Sequence, residues 1–227
     1  MTLHLLPNLL HSNATPNLNF VVGLQDVVNN LDGFFVEDPK EARKYLKHFD
    51  FDKLKDKPME IVNKDTKDFR ILLKPLLNGK EFGVVVDSGM PTIADPGSKL
   101  VFIAKSLNIK VMAYPGPCAI ILALVLSGLD SQQFTFQGYL PRKIDRKIRN
   151  IEMTQIFIET PYKNHNSLAN LLSVLAIRDT LTIACDLTLP TQQVITQTVG
   201  EWHKTHQNYD FHKRPAIFLI KINSDNF

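Results

Sequence analysis

Apolar and polar positions along this chain fall into short blocks whose spacing differs between its two halves. In the first half, apolar runs at 3–6, 34–36, 60–62, 84–86 and 110–112 predict strands, and amphipathic stretches at 24–31, 39–46, 68–77 and 96–107 predict helices. Asp38 is placed to cap the helix that Pro39 opens, and Pro75 interrupts the 68–77 pattern near its end. Strands that alternate with helices argue for a parallel sheet. Val84-Val85-Val86, three β-branched residues in a row, suits a strand buried on both faces. The stretch 47–57 is polar and lysine-rich.

Tyr114-Pro115-Gly116-Pro117 is the clearest punctuation in the chain, and it predicts an N-terminal α/β domain over 1–113 and a C-terminal α/β domain over 114–227. The second half opens with an apolar stretch, 119–126, that reads as a buried core helix. Strands follow at 134–136 and 155–159, separated by a basic helix, and a further helix at 164–175. Runs at 181–185, 194–198 and 216–222 predict three more strands with little helix between them. That succession points to a mixed sheet with antiparallel pairing. The expected fold class is therefore α/β, with a mainly parallel N-terminal sheet and a mixed C-terminal one.

A hydrophobic content of 44% with 22% charged residues in 227 positions is that of an ordinary soluble globular protein. A net charge of +3 is too small to establish nucleic-acid binding, so that question passes to local clusters of Lys and Arg. The N-terminus lacks the basic start and sustained apolar run of a signal peptide, and 119–126 is well short of the roughly 20 residues that cross a bilayer. A cytoplasmic protein with no membrane partner is expected. Cys118 and Cys185 have no metal-ligand spacing, so packing is favoured over zinc, and nothing supports a disulfide. The seven histidines are scattered, and no metal is expected. Nucleophile-elbow, phosphate-loop and dinucleotide-turn motifs are missing from the sequence.

What remains is a series of loops at strand ends. In Asp87-Ser88-Gly89-Met90-Pro91-Thr92-Ile93-Ala94-Asp95-Pro96-Gly97, small residues leave the backbone open to a ligand, Pro91 restricts the loop, and Asp95 with Pro96 fits a helix start. An ordinary α/β turn explains the same residues equally well. Pro115-Gly-Pro-Cys-Ala119, Tyr139-Leu-Pro-Arg-Lys143 and Glu159-Thr-Pro-Tyr-Lys163 follow later strands. Arg142, Lys143, Arg146, Lys147 and Arg149, with Asp145 the one acid among them, fit either an RNA phosphate contact or a solvated helix.

In their order, the loops Asp87–Gly97, Pro115–Ala119, Ser127-Gly-Leu129, Phe136-Gln-Gly-Tyr-Leu-Pro-Arg-Lys143 and Ile158-Glu-Thr-Pro-Tyr162 resemble the tetrapyrrole-methylase superfamily of S-adenosylmethionine-dependent methyltransferases. The nearest likeness is to its ribosomal RNA small subunit methyltransferase I branch, and it runs from about Leu3 to Ile222. The resemblance implies two α/β domains with S-adenosylmethionine in the cleft between them, and commonly a homodimer. It implies transfer of a methyl group to a ribose 2′-hydroxyl of small-subunit ribosomal RNA. By matching positions, Ser88, Gly89, Met90, Ile93 and Ala94 would line the cofactor from the first domain, and Pro115, Tyr139, Leu140, Pro161, Ala184, Leu187 and Ala216 from the second.

Glu37, Arg142, Lys143 and Tyr162 would meet the substrate. Lys143 is the candidate catalytic cation, stabilising a developing alkoxide, and is equally placed for a phosphate; Glu37 is a candidate for orienting the acceptor or simply a helix-start residue. The chain departs from the branch where Pro7-Asn-Leu-Leu-His-Ser-Asn13 replaces a glycine turn, where Pro39-Lys40 replaces Thr-Arg, and where Tyr162-Lys163 replaces His-Arg. These changes leave two alternatives open, a small-molecule methyltransferase and a cofactor- or RNA-binding paralogue without turnover.

Overall fold

The computed structural model describes residues 1–145, 148 and 150–223. It forms two compact units, Met1–Cys118 and Ala119–Phe227, dividing just after the Tyr114–Pro117 punctuation.

The first unit is a five-stranded parallel sheet of β1 (Thr2–Leu6), β2 (Gly33–Val36), β3 (Met59–Ile61), β4 (Phe82–Val85) and β5 (Lys110–Ala113), in the order β3-β2-β4-β1-β5. β4 lies between β2 and β1, with Val84 opposite both Phe35 and Leu5, and all four of its residues are buried. Side chains alternate across the sheet. Leu3, Leu5, Phe35, Phe82 and Val84 enter one apolar cluster with α7 (Gly97–Ser106), while Leu6, Phe34, Val36 and Val85 enter another with α2 (Leu24–Asn30) and α3 (Pro39–Leu46). Helices therefore cover both faces, as the continuous apolar strands require. The chain leaves β1 toward β2 on one side and β4 toward β5 on the other. Loops at the carboxyl ends of such strands are where open parallel sheets hold ligands.

Local signals explain most helix starts. The Asp38 carboxylate accepts from Lys40 N at 2.7 Å with Pro39 in the first turn of α3. At 68–77 the expected single helix is two, α5 (Phe69–Leu72) and α6 (Lys74–Leu77), because Pro75 has no N–H to offer the Ile71 carbonyl. The helix expected from Pro96 begins at Gly97, although Asp95 still fills the capping role, accepting from Gly97 N at 2.6 Å. Two short helices, α1 (Pro16–Asn19) and α4 (Phe51–Leu54), interrupt stretches with no clear sequence pattern.

In the second unit, β6 (Phe134–Tyr139), β7 (Thr154–Glu159), β8 (Thr180–Cys185), β9 (Gln193–Thr198) and β10 (Ala216–Lys221) form a mixed sheet ordered β6-β7-β10-β8-β9. β6 and β7 pair in parallel, and the other pairs are antiparallel. Its main core gathers Phe157, Leu171, Leu181, Trp202, Phe211 and Phe218 beneath α9 (Asn164–Val174) and α10 (Val199–Thr205). α10 is a helix where little was expected. Thr198 and Glu201 make a reciprocal capping box, and the buried Trp202 donates its indole N–H to the Leu181 carbonyl at 2.8 Å. Helix α8 (Ala119–Ser127) is only half a core helix. Ile120, Ala123 and Leu124 are buried against the sheet, whereas Ile121, Val125 and Leu126 face outward. The basic helix expected between β6 and β7 falls partly on Arg146, Lys147 and Arg149, which lie outside the described residues.

Candidate functional site

The second unit contains an apolar pocket of about 190 Å³ lined by Ala119, Ile158, Glu159, Pro161, Ala184, Leu187, Pro215, Ala216 and Ile217. Sheet register creates it. Ile158, Ile217 and Ala184 are direct partners across β7, β10 and β8, so their side chains share one face, and the small Ala184 leaves room beside two isoleucines. Pro161 and Pro215 contribute rigid walls that lack N–H donors. The one carboxylate in the lining is already engaged: Glu159 accepts from Thr160 N and from the Ser167 hydroxyl, each at 2.6 Å. What faces the space is almost wholly hydrocarbon, chemistry suited to a flat, weakly polar group.

Four of the residues assigned from sequence, Pro161, Ala184, Leu187 and Ala216, come together here. Tyr139 and Leu140 are not part of this lining; Tyr139 is exposed at the end of β6, and Leu140 is packed in the main core. Ile158, Pro215 and Ile217 were missed. Ile158 and Ile217 sit in register with Ala184, but only pairing across strands reveals it.

Another residue that the sequence did not single out is Arg214, which holds the loop that carries Leu187. Its Nε donates to Asp186 Oδ2 at 2.9 Å, one terminal nitrogen to Gln193 Oε1 at 2.9 Å and the Asp210 carbonyl at 3.0 Å, and the other to the Thr191 carbonyl at 2.9 Å. Asp186 and Thr188 on either side of Leu187 have φ of 51° and 74°, a left-handed conformation unusual for residues with side chains. The clamp secures that turn. Beside it, burial pushes the Cys185 thiol up to about 12, so it packs as an apolar group, and both cysteines are free.

In the first unit, the loop after β4 is zipped to the loop after β1. Asn8 N donates to the Gly89 carbonyl at 2.8 Å, Gly89 N donates to the Leu9 carbonyl at 3.3 Å, and the Ser88 hydroxyl donates to the Leu10 carbonyl at 3.1 Å. The buried Asn8 amide reinforces this by donating to the Val86 and Asp87 carbonyls. Gly89 has φ of 71°, which favours glycine. Its N–H and C=O are thus engaged within the protein, so the openness expected at Ser88 and Gly89 is narrower than the sequence suggested. Met90 is half-buried, and Ile93 and Ala94 are exposed. Pro115 is exposed next to Gly116, where a Cβ would lie 2.1 Å from Pro7 Cβ; the Pro115–Pro117 turn therefore depends on glycine to pass the β1 loop.

Three carboxylates border these loops. Glu37, half-buried, accepts from Asp87 N at 3.3 Å, and its pKa is raised by burial and then by the charges of Asp87 and Asp95. Burial raises Asp87 and Asp95 as well. A glutamate held this way takes up a proton more readily than one in water. Because the folded pKa lies above the unfolded one, the charged form is penalised on folding, a cost absent below about pH 4.5 and complete once the pH passes the folded pKa. Glu37→Gln, which retains an acceptor for Asp87 N, should therefore gain stability over the parent as the pH rises, with the difference vanishing in acid. Thermal melts of both proteins across that range test it; a gap that widens toward low pH would contradict it.

Of the remaining substrate-side residues, Arg142 and Lys143 are exposed after β6, and Tyr162 is exposed with its ring against His212. Among the described residues, no cluster of His, Cys, Asp and Glu could hold a metal ion, and no helix is long and apolar enough to cross a membrane.

Comparison with known proteins places these features in context. The family model of Tetrapyrrole (Corrin/Porphyrin) Methylases matches residues 22–202. "Ribosomal RNA small subunit methyltransferase I" of Vibrio cholerae is 36% identical over 72% of this chain and 58% of its own length. The protein of that name from Xylella fastidiosa is 31% identical over 95% of this chain and 81% of its own. The matched segment thus spans less than two thirds of the first relative and about four fifths of the second. Among solved structures, a diphthine synthase superposes with a TM-score of 0.68 at 14% identity, over 98% of this chain and 90% of its own. A uroporphyrin-III-C-methyltransferase from Thermus thermophilus does so with 0.57 at 12% identity, over 97% and 94%. At such identities these two speak for the fold.

Proposed function

Since the chain belongs to the tetrapyrrole (corrin/porphyrin) methylase family, we propose that it transfers a methyl group from S-adenosylmethionine to a ribose 2′-hydroxyl of small-subunit ribosomal RNA. The observation that carries the donor half is the pocket in which Pro161, Ala184, Leu187 and Ala216 meet. Its apolar walls fit the adenosine part of that cofactor, and the one carboxylate among them, Glu159, is held by Thr160 and Ser167. Ser88, Gly89, Met90, Ile93, Ala94, Pro115, Tyr139 and Leu140 are proposed as further cofactor contacts from the motif match. The names of relatives 31% and 36% identical support the RNA acceptor.

S-adenosylmethionine supplies a methyl on a sulfonium, already activated for in-line displacement. The protein's part is to align the acceptor and exclude water. Glu37 is proposed to orient the ribose and, with its raised pKa, to accept the hydroxyl proton as the C–O bond forms and the C–S bond breaks. The Lys143 ammonium is proposed to stabilise the negative charge developing on the oxygen, while Arg142 and Tyr162 hold the RNA. The outward apolar face of α8, with Ile121, Val125 and Leu126, supports a homodimer.

Incubation with methyl-labelled cofactor and small ribosomal subunits lacking their ribose methyl groups should place label in RNA as alkali-resistant 2′-O-methyl nucleotides. Unlabelled RNA from protein that still binds the cofactor would reject the acceptor, and label in a small-molecule fraction would move the reading to that class.

A further inference from the structure

Helix α3 carries a set of cations that its packing does not use. At 3.6 residues per turn, Lys40, Arg43, Lys44 and Lys47 share an arc of about 100°. The opposite face, Ala42, Tyr45 and Leu46, is buried. All four cations are exposed. Lys44 pairs with Glu41 at 2.7 Å, but among the described residues no carboxylate is within ion-pair distance of Lys40, Arg43 or Lys47. Two like-charged pairs at i, i+4, Lys40 with Lys44 and Arg43 with Lys47, work against the helix. A surface that needed only to be soluble would interleave acids there.

Beside this stripe lies a polar pocket of about 250 Å³. Its lining includes Asn8, His11 and Ser12 from the loop after β1, Lys44 and His48, and Asp87 after β4. It therefore sits at the carboxyl ends of the central strands. Glu41 lines it along with Asp87, so the pocket itself disfavours phosphate while offering acceptors to amino groups. Partial burial lowers the pKa of the His48 imidazole and so favours its uncharged form, and the ring packs edge-on with Phe20 at 6.0 Å; unstacked bases are held on rings of this kind. An anionic outer contact and an uncharged, hydrogen-bonding inner one are the two parts of an unstacked nucleotide.

We propose that α3 and the loop 8–12 form an RNA-binding face of the first unit, with Lys40, Arg43 and Lys47 on the phosphates of a single-stranded segment and the adjoining pocket taking one unstacked base. The proposal rests on the RNA-methyltransferase reading for the identity of the polyanion. It places a specificity contact on the segment where Pro39-Lys40 departs from the methyltransferase I pattern.

The test uses the full chain and the triple variant Lys40→Ala/Arg43→Ala/Lys47→Ala, in which alanine preserves the helix. Binding of a fluorescein-labelled single-stranded oligoribonucleotide is titrated across a range of KCl, with the same sequence as a duplex for comparison. The variant should bind the single strand on the order of tenfold more weakly near physiological salt, with the slope of log K against log [salt] shallower by about 2. Cofactor affinity should be unchanged, the melting temperature should be equal to the parent's or slightly higher because the two like-charged pairs are gone, and the parent should prefer single strand to duplex. Parent-like affinity and slope in a variant whose parent methylates RNA would overturn the inference and leave the proposed function standing, as would equal binding of duplex. A parent that neither binds nor methylates RNA would overturn both.

Discussion

Replacing Arg214 with alanine should destabilise the protein by about 3 kcal/mol and lower the melting temperature of the 227-residue chain by roughly 6–12 °C. The side chain is a quarter exposed and Asp186 is nearly buried, at 23% and 11%, so the pair is screened on one side only. Removing the guanidinium strands the Asp186 carboxylate, which keeps the Thr191 hydroxyl at 3.0 Å as a side-chain donor. It also releases Gln193 and the carbonyls of Thr191 and Asp210. Lysine at this position would restore a charge without the planar fork that reaches four acceptors, so Arg214→Lys should fall between parent and alanine variant. The loop that loosens carries Leu187, and cofactor affinity should weaken together with stability. Calorimetric melts of the three proteins measure the order; equal melting temperatures for parent and Arg214→Ala would show that the clamp contributes nothing.

Features set by near neighbours were readable in the sequence. Val84–Val86 announced a strand buried on both faces because β-branched residues leave little else for such a run to do. Asp38-Pro39 announced a helix start, and the carboxylate and ring act there as their chemistry dictates. The Thr198–Glu201 capping box that starts α10 is equally local, but it lies among apolar runs whose alternation points to strands and masks a helix of seven residues. α8 shows a different limit. An apolar run specifies burial without saying how many sides have a partner, and this one is covered on one side only.

The sites were less legible, for reasons of distance along the chain. Arg214 reaches Asp186, Thr191 and Gln193, residues 28, 23 and 21 positions away, and no spacing rule links them. Likewise, Ile158, Ala184 and Ile217 become one wall through strand register, which a single sequence does not display. Pro161, Ala184, Leu187 and Ala216 were named from family resemblance, not local chemistry. The main chain of Gly89 is less open than its sequence setting suggests because its partners, Asn8 and Leu9, lie some eighty residues earlier, as does Leu10, which takes up the Ser88 hydroxyl. A loop of small residues is available to a ligand only if its polar groups are not already satisfied, and here several are.

The pocket of the second unit yields the other large effect. Ala184→Leu should weaken S-adenosylmethionine binding on the order of a hundredfold, about 2.7 kcal/mol, while the unit stays folded. Ala184 shares a sheet face with Ile158 and Ile217, and it is the small residue of that row. A leucine there extends into the roughly 190 Å³ space, displacing whatever group occupies it. Because the added carbons enter a void, the cost to folding should be below the 1–3 kcal/mol typical of overpacking in a filled core. Ala119→Leu approaches the same space from the start of α8, and it provides the check if the strand variant folds poorly. Calorimetric titration with the cofactor, alongside melting curves, separates the outcomes. Loss of binding at unchanged melting temperature places the donor in this pocket, whereas parent-like affinity in both folded variants would exclude it and return the donor site to the loops of the first unit.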